Sequence, residues 1–340
     1  MSAVASAATA GPQALPAGMS AAAWIARLAR PQLTLAALIA VAAGVLVYYL
    51  AQATVWLLVA PLALCALNLG AVLVTNRAFR RQPALMTFHM ALLAVVLLVA
   101  AGRLTYLTGQ LELAEGETFT GLLTQSESGP WHRPQLERTA FTNDGFTIRY
   151  EKGVRRAETR NAVRWVDDAG GEQRAVIGDI DPLVRRGYRF YTSANKGFAP
   201  VFLWQPHGGA AQRGSVNLPS YPSQALRQSL EWTLPSTQVA VWTMLQFDEV
   251  LLDPLQPSQL RLPAQHRLVL RIGDARHELA PGDRVSLPEG VLIYERLTLW
   301  MGYTVFYDWT LPWLAAACVL VVAALAWHLL RKFAARAWDE

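Results

Sequence analysis

The stretch LTLAALIAVAAGVLVYYLAQATVWLLVAPLALCALNLGAVLVT, residues 33–75, contains no Asp, Glu, Lys or Arg. Two further runs are also uncharged, residues 82–102 and residues 309–330. A bilayer core about 30 Å thick is crossed by roughly 20 helical residues. The first run is therefore long enough for two spans, and each of the others is long enough for one. The sequence predicts an integral membrane protein with four transmembrane α-helices, three before and one after a large charged segment.

The composition agrees with this prediction. Hydrophobic residues make up 53% of the 340-residue chain and charged residues only 16%, whereas soluble proteins have about 25% charged residues. These values exclude the classes of soluble globular protein. The net charge of +5 must then be interpreted by its position along the chain.

The basic residues beside the uncharged runs are concentrated on one side, and only Arg103 adjoins a run on the other side. Eight of them accompany the runs, against two acidic residues at the C-terminus, while residues 103–308 hold 22 basic and 23 acidic residues. The eight are Arg27, Arg30, Arg77, Arg80, Arg81, Arg331, Lys332 and Arg336. Cytoplasmic segments carry such an excess, so both termini and the second connection are predicted to be cytoplasmic. The positive charge then sets topology, and no nucleic-acid partner is expected.

The predicted organisation has four parts. Residues 1–31 form a cytoplasmic N-terminal tail, residues 32–104 hold the first three spans, residues 105–307 form an extracytoplasmic domain, and residues 308–340 hold the fourth span and a cytoplasmic C-terminus. The predicted spans are Leu33–Tyr49, Val55–Thr75, Ala84–Arg103 and Trp309–Leu330. Ala-rich residues 1–20 are predicted to be a disordered tail.

The extracytoplasmic segment is predicted to be β-rich. Phe146, Ile148 and Tyr150 alternate in GFTIRYE, which is typical of a half-buried strand. AVRWVDDAGGEQRAVIG, residues 162–178, predicts a hairpin with its turn at 168–171. The segments YRFYTS, APVFLWQ, HRLVLRIG and VLIYERLTLW are further strand candidates, and only Pro222–Glu231 resembles a short helix. Many short strands indicate a sandwich or an open barrel.

The chain has two cysteines, Cys65 and Cys318, and both lie in uncharged runs. The external domain is therefore expected to have no disulfide. No C-x-x-C or C-x-x-C-H sequence occurs, so the chain is predicted neither to exchange thiols nor to carry covalent haem. No catalytic motif is present, and no catalytic residue is predicted.

Two of the six histidines, His89 and His328, lie inside predicted spans. Both are near the cytoplasmic ends of spans that run in opposite directions, so their predicted depths are similar. Ionisable side chains in a membrane are costly and are functional candidates, and imidazole is an axial ligand of haem iron. Two structural alternatives remain open: His328 could meet the interface beside Arg331 and Lys332, and His89 could hydrogen-bond between helices. The external histidines, His132, His207, His266 and His277, share no metal-ligand spacing, and structural or solvated roles are expected.

Five segments together resemble the ResB/CcsB family of system II cytochrome c maturation. In chain order they are LCALNLGAVLVTNR (64–77), MTFHMALLAVVLL (86–98), GQLELAEGETF (109–119), DPLVRRGYRFYTSANKGF (181–198) and AWHLLRKFAARAW (326–338). The resemblance follows the order of the whole chain, although the external domain is shorter than in many members and Asp181-Pro182 replaces an Asn-x-Pro arrangement.

The resemblance implies a membrane subunit of a haem lyase complex in the bacterial cytoplasmic membrane, with no active site or a shared one. It implies that His89 binds the iron of transient, non-covalent haem b, and His328 is a second candidate ligand. A CcsA/ResC-type haem-presenting membrane protein and apocytochrome c are the expected partners, with a thioredoxin-like thiol reductant and membrane lipid as further ones. The large domain would be periplasmic.

Two other functions remain open. The chain could be an electron-transfer protein in which His89 and His328 ligate one b-type haem. It could also be a non-catalytic, membrane-anchored ectodomain in which both histidines are structural.

Overall fold

A computed structural model describes residues 21–51, 53–133 and 135–334. The chain divides into two compact units: a helical unit formed by the residues up to Leu104 and those from Thr310, and a β unit formed by Thr105–Trp309. The predicted tail at residues 1–20, and the C-terminal charges Arg336, Asp339 and Glu340, lie outside the described residues. Each unit is described by itself.

The described residues of the helical unit form four long apolar helices and two short ones. In chain order the helices are α1 (Ala21–Leu28), α2 (Pro31–Ala51), α3 (Trp56–Thr75), α4 (Arg77–Arg81), α5 (Pro83–Thr105) and α6 (Leu311–Ala334). Among the described residues, α2, α3, α5 and α6 are long and apolar enough to cross a membrane. The four helices predicted from the uncharged runs are therefore present, and they are those of a membrane protein.

Helices α2 and α3 pack closely. One buried side-chain amide on α3 also hydrogen-bonds to α2 and to the end of α1. A Cβ atom added to Gly44 would lie 2.1 Å from the carbonyl oxygen of Leu57, so only glycine allows this approach. Asn68, 2% exposed, accepts a hydrogen bond from Thr34 Oγ1 at 2.7 Å and donates through Nδ2 to the Leu28 carbonyl at 2.6 Å. Asn68 therefore has a structural role, because its buried amide is paired on both sides.

The described residues of the β unit form sixteen strands and a short 3-10 helix, Leu136–Thr139. In chain order the strands are β1 (Leu107–Ala114), β2 (Thr118–Phe119), β3 (Gln125–Ser128), β4 (Phe141–Glu151), β5 (Arg155–Val166), β6 (Glu172–Ile177), β7 (Leu183–Arg185), β8 (Tyr188–Pro206), β9 (Gln212–Ser215), β10 (Ser229–Thr233), β11 (Ala240–Gln246), β12 (Ser258–Gln259), β13 (Arg267–Ile272), β14 (Ala275–Leu279), β15 (Arg284–Leu287) and β16 (Gly290–Tyr307). The β-rich prediction is confirmed.

Three antiparallel sheets contain these strands. The largest has the order β3-β1-β16-β8-β7, with β15 also paired to β16 and β9 to β8. The second has the order β12-β4-β5-β6 with β2 on β4, and the third has the order β10-β11-β13-β14. Within the described part of the chain no sheet closes into a barrel. The predicted hairpin at residues 162–178 is the β5–β6 pair.

Strands β8 and β16 are the longest, and they pair from Gly290 opposite Pro206 to Tyr307 opposite Tyr188. Two β-bulges interrupt their register, one after Tyr294 and one after Met301. The other edge of β16 pairs with β1, so that Leu107 lies opposite Tyr307. Strands β1, β8 and β16 form the centre of the largest sheet, and large side chains such as Trp204 are almost fully buried beside them.

A buried polar network joins the largest sheet to the second. Tyr303 donates its hydroxyl hydrogen to Asn161 Oδ1 at 2.8 Å, and Asn161 Nδ2 donates to Asn143 Oδ1 at 2.7 Å. Asn143 Nδ2 donates in turn to the Leu113 carbonyl at 3.0 Å. Burial raises the pKa of Tyr303. Because every member has a partner, the network specifies how the two sheets pack.

The predicted helix at Pro222–Glu231 is wrong. Residues 221–226 form hydrogen-bonded turns, and β10 begins at Ser229. The Gln228 side chain ends the turn by donating from Nε2 to the Gln224 carbonyl at 2.8 Å. The following residues pair with β11 instead of continuing the turn, so tertiary pairing overrides a weak local helical preference.

Candidate functional site

His89 lies on α5, less than two turns after the helix begins at Pro83. Its ring is half-buried and packs edge-on against two phenylalanines. The ring centre is 4.6 Å from that of Phe79 on α4 and 5.1 Å from that of Phe88. Phe79 itself is 8% exposed, so α4 supplies a fixed wall for the imidazole.

A hydrogen bond defines which ring nitrogen of His89 remains available. Nδ1 lies 2.8 Å from the carbonyl oxygen of Leu85, one helical turn earlier. A carbonyl oxygen can only accept, so Nδ1 carries the hydrogen, and in the neutral ring Nε2 carries the lone pair. Among the described residues Nε2 has no hydrogen-bond partner. Metal-ligating histidines commonly have this arrangement, with one nitrogen on a backbone carbonyl and the other on the metal.

His328 lies on α6 in a different setting. It lines a cavity of about 410 Å³ together with residues 81–84, Arg331 and Lys332. His89 is not among the residues that line this cavity, and within the described residues the His328 ring has no hydrogen-bond partner. The structure therefore gives the two predicted ligands separate surroundings, and their role as haem ligands stays a prediction.

The surroundings of His89 fit one ligand of haem iron. The described residues contain no group of three or more His, Cys, Asp or Glu side chains that could hold a metal ion. A neutral imidazole with a free Nε2 and an apolar aromatic wall suits the axial position of haem iron. The cysteines Cys65 and Cys318 are free thiols, as expected from their positions.

Two histidines of the β unit have structural partners, as the sequence predicts. His132 Nδ1 donates to the Thr105 carbonyl at 2.8 Å, and its Nε2 lies 2.9 Å from the Tyr188 hydroxyl. His266 Nε2 lies 2.7 Å from the Tyr294 hydroxyl, and burial lowers the pKa of His266. The bonds of His132 use both ring nitrogens, and the bond of His266 uses Nε2.

Comparison with known proteins identifies the stretch that carries His89. The ResB-like family matches residues 68–228. This stretch is ResB-like. It contains Asn68, Arg77, His89 and the segment DPLVRRGYRFYTSANKGF, and it ends before His328. No curated protein matches the sequence. The family match confirms the resemblance found in the sequence and links the chain to cytochrome c biogenesis.

The ResB-like stretch also contains a buried lysine that sequence analysis missed. Lys196 on β8 is 5% exposed, and its Nζ donates to the Ala194 carbonyl at 2.8 Å and lies 5.7 Å from the centre of the Tyr150 ring. Burial lowers the pKa of Lys196 to about 8, with the nearby Arg156 acting in the same direction. The apolar run GFAPVFLW that follows it is the sequence signal that could have indicated burial.

A second cation in the ResB-like stretch is held by an aromatic ring. Cζ of Arg185 lies 5.2 Å from the centre of the Trp165 ring, and its Nε is buried without a hydrogen-bond partner. Burial lowers the pKa of Arg185. Both side chains line a cavity of about 390 Å³. Sequence analysis missed this pair because the two residues come from different strands.

Proposed function

We propose that the protein is a membrane subunit of a system II cytochrome c synthase. It helps to carry haem across the bacterial cytoplasmic membrane and to present it to exported apocytochromes that contain C-x-x-C-H. The observation that carries this proposal is the imidazole of His89, which lies in the ResB-like stretch with Nδ1 on a backbone carbonyl and Nε2 free.

His89 is the proposed axial ligand of transient, non-covalent haem b. The Leu85 carbonyl keeps the hydrogen on Nδ1, so that Nε2 presents its lone pair. Phe79 and Phe88 restrict rotation of the ring. Haem is the cargo, and its covalent attachment uses the thiols of the apocytochrome, which a thioredoxin-like reductant would keep reduced.

The second axial ligand is proposed to come from a CcsA/ResC-type partner. Within this chain the other candidate ligand, His328, lines a cavity whose wall does not include His89. A site completed by two chains would also explain how haem passes from one subunit to the next. In this arrangement the chain is a non-catalytic or co-catalytic subunit.

The proposal requires a defined orientation, with both termini in the cytoplasm and the β unit in the periplasm. A reporter enzyme that is active only in the periplasm should work when inserted at Gly209, in the turn between β8 and β9, and should be inactive after Glu340. The arginine excess near α4 and at the end of α6 is the physical reason. The reverse pattern of activity would contradict the orientation.

The test of the site is His89→Ala, with the full chain co-expressed and purified with a tryptophan-rich CcsA/ResC-type protein. We expect both proteins to insert and to copurify, while the haem measured by a reduced-minus-oxidised spectrum falls to near background. Added imidazole should restore part of the haem, because a free ring can occupy the vacated axial position.

Two control variants separate the alternatives. His328→Ala should keep its haem if the partner supplies the second ligand, whereas a bis-histidine site within this chain would lose haem with either substitution. His207→Ala should keep its haem under both, because His207 is an exposed side chain of the β unit. Full haem content and full cytochrome maturation in His89→Ala would show that His89 only packs between helices.

A further inference from the structure

The cavity beside His328 is lined by positively charged side chains. It lies in the helical unit between the beginning of α5 and the end of α6, with a volume of about 410 Å³. Its wall contains the cations Arg81, Arg331 and Lys332, together with His328 and the polar Gln82. None of the described residues on the wall is a carboxylate. A volume of this size is in the range of ligand pockets, about 300–1,000 Å³.

The three cations have no acidic partner within the described part of the chain. The ion pairs found there involve other residues, from Asp144 to Glu295 in the β unit. The three side chains are exposed, and like charges that converge on one cavity repel each other. An anion in the cavity would remove this repulsion. Arginine and lysine are also the side chains that bind phosphate oxygens most strongly.

The cavity lies where the apolar helices meet their charged ends. On α6 the uncharged run stops at Leu330 and the next two residues are Arg331 and Lys332, while α5 begins its uncharged run at Pro83, directly after Arg81 and Gln82. Trp327, 43% exposed, lies one turn before Arg331, and tryptophan favours the headgroup level of a bilayer. The level of the cavity is therefore that of lipid phosphates.

We infer that this cavity binds the phosphate headgroup of an anionic phospholipid. Arg81 from the end of α4 and Arg331 and Lys332 from α6 surround the phosphate, and His328 and Gln82 offer hydrogen bonds to its remaining oxygens. Basic pockets between membrane helices bind acidic headgroups for the same electrostatic reason. Charges that only set topology need not converge on one cavity, and Arg27, Arg30 and Arg77 do not line it. The inference does not depend on haem.

The test uses the full chain, purified in detergent and freed of lipid. Dioleoylphosphatidylglycerol and dioleoylphosphatidylcholine are added separately, and native mass spectrometry counts the bound lipid. The wild-type chain should bind the anionic lipid more tightly than the zwitterionic one. In R81Q/R331Q/K332Q this preference should fall by about fivefold for each basic side chain removed.

The matched control is R27Q/R30Q/R77Q, which removes three basic residues from the same proposed side of the membrane without touching the cavity. It should keep the lipid preference of the wild-type chain. If the triple variant does not give a monodisperse protein, R331Q and K332Q are measured singly, and each should show its own partial loss. A separate arm adds inorganic phosphate, which should not displace the bound lipid because it lacks the acyl chains held by the apolar helices.

Three results would overturn the inference. Equal losses in the cavity variant and the control variant would show that the preference comes from diffuse surface charge. Displacement of the lipid by millimolar phosphate would assign the cavity to a soluble anion. An unchanged lipid preference, with a loss of copurified haem in the cavity variant, would assign the cations to haem propionates. The first two results involve no haem and do not bear on His89. The third concerns the haem propionates, and the ligand of the iron is tested separately by His89→Ala with the partner present.

Discussion

His89 in α5 and His132 in the β unit make the same hydrogen bond through Nδ1. They differ in the partner of Nε2. In both, Nδ1 donates to a backbone carbonyl at 2.8 Å. In both, two aromatic rings hold the imidazole edge-on, Phe79 and Phe88 in the first and Tyr188 and Tyr307 in the second. The Nε2 of His132 is bonded to a hydroxyl, whereas the Nε2 of His89 has no partner among the described residues.

The difference shows how a structural histidine and a candidate ligand can be distinguished without a bound metal. A buried polar atom without a partner is costly, so proteins usually satisfy both nitrogens of a packed imidazole, as the β unit does for His132. An imidazole that is oriented on one side and left open on the other keeps a lone pair ready for a further group. The following predictions test this distinction.

The largest effect is expected from His132→Ala in the full chain. The substitution leaves the Thr105 carbonyl and the Tyr188 hydroxyl without their partner and removes the ring that packs on Tyr307. We expect the β unit to lose about 2–4 kcal/mol of stability, measured by hydrogen exchange of the β8 and β16 amides. His89→Ala should leave this exchange unchanged. Normal protection in His132→Ala would mean that the paired histidine has no structural role.

The second prediction asks whether the buried charge of Lys196 is needed for the fold. The pKa of Lys196 falls from 10.5 to about 8, which corresponds to about 3 kcal/mol of destabilisation at neutral pH. Lys196→Met should therefore stabilise the β unit by about 1–3 kcal/mol at pH 7, after loss of the bond to the Ala194 carbonyl. A destabilised variant would show that the charge itself is needed for the fold.

The stability gained in Lys196→Met should depend on pH, because the pKa of Lys196 differs between the folded and the unfolded chain. The unfolded chain holds the lysine proton up to about pH 10.5, and the folded protein holds it only up to about pH 8. The stability of the wild-type protein should therefore rise between these values. The advantage of Lys196→Met should be complete below pH 8 and absent above 10.5, as measured by denaturant unfolding across this range. A pH-independent difference would indicate packing, not charge.

A smaller effect is expected from Tyr188→Phe. This variant keeps the aromatic ring and removes the hydroxyl that pairs with Nε2 of His132, so the stability of the β unit should fall by about 1 kcal/mol. The double variant His132→Ala/Tyr188→Phe should lose less than the sum of the single variants, because both remove one shared bond. Additive losses measured by hydrogen exchange would contradict the proposed pairing of the two side chains.

The smallest effect concerns His266, which tests the same rule by pH. Burial lowers the pKa of His266, so the unfolded chain takes up a proton more readily than the folded protein. Its contribution to stability should be present above the ordinary histidine pKa and should be lost as pH falls through the folded value. His266→Gln should show a shallower loss of stability between pH 7 and pH 5. An identical slope would mean that the imidazole titrates freely.

The helices were predictable because membrane spans are encoded locally. The observed ends differ by only a few residues from the uncharged runs, and local chemistry explains the differences. Helix α2 begins at Pro31 because proline suits the first turn of a helix. Helix α6 continues past Leu330 to Ala334 because arginine and lysine are good helix formers, so the loss of hydrophobicity did not end the helix.

The long strands were predictable only in pieces. YRFYTS and APVFLWQ were expected as two strands, but both belong to β8, because the residues between them form a bulge opposite Met301–Tyr303 without ending the pairing. Likewise β16 continues to Tyr307, beyond the predicted VLIYERLTLW. A bulge inserts a residue without separating the strands, and Asn195 and Gly197 resemble a turn in sequence.

The sequence identified His89 as a candidate residue, but it did not predict which side chains surround it. The position of His89 in an uncharged run identified it, while its contact with Phe79 depends on how α4 folds back beside α5. The pairing of His132 was not predictable, because its partners Thr105, Tyr188 and Tyr307 lie far apart in the chain. The basic cavity likewise combines residues from α4 and α6, which no local pattern connects.

The pairing of Leu107 with Tyr307 has a consequence for how the β unit can be removed from the chain. Directly opposed Cα atoms in an antiparallel pair lie about 4.5–5.5 Å apart. The chain therefore enters and leaves the β unit at almost the same point. A domain with adjacent ends can be inserted into a host chain, or excised from it, with little strain. The β unit is thus an insertion with adjacent ends, placed in the chain between α5 and α6.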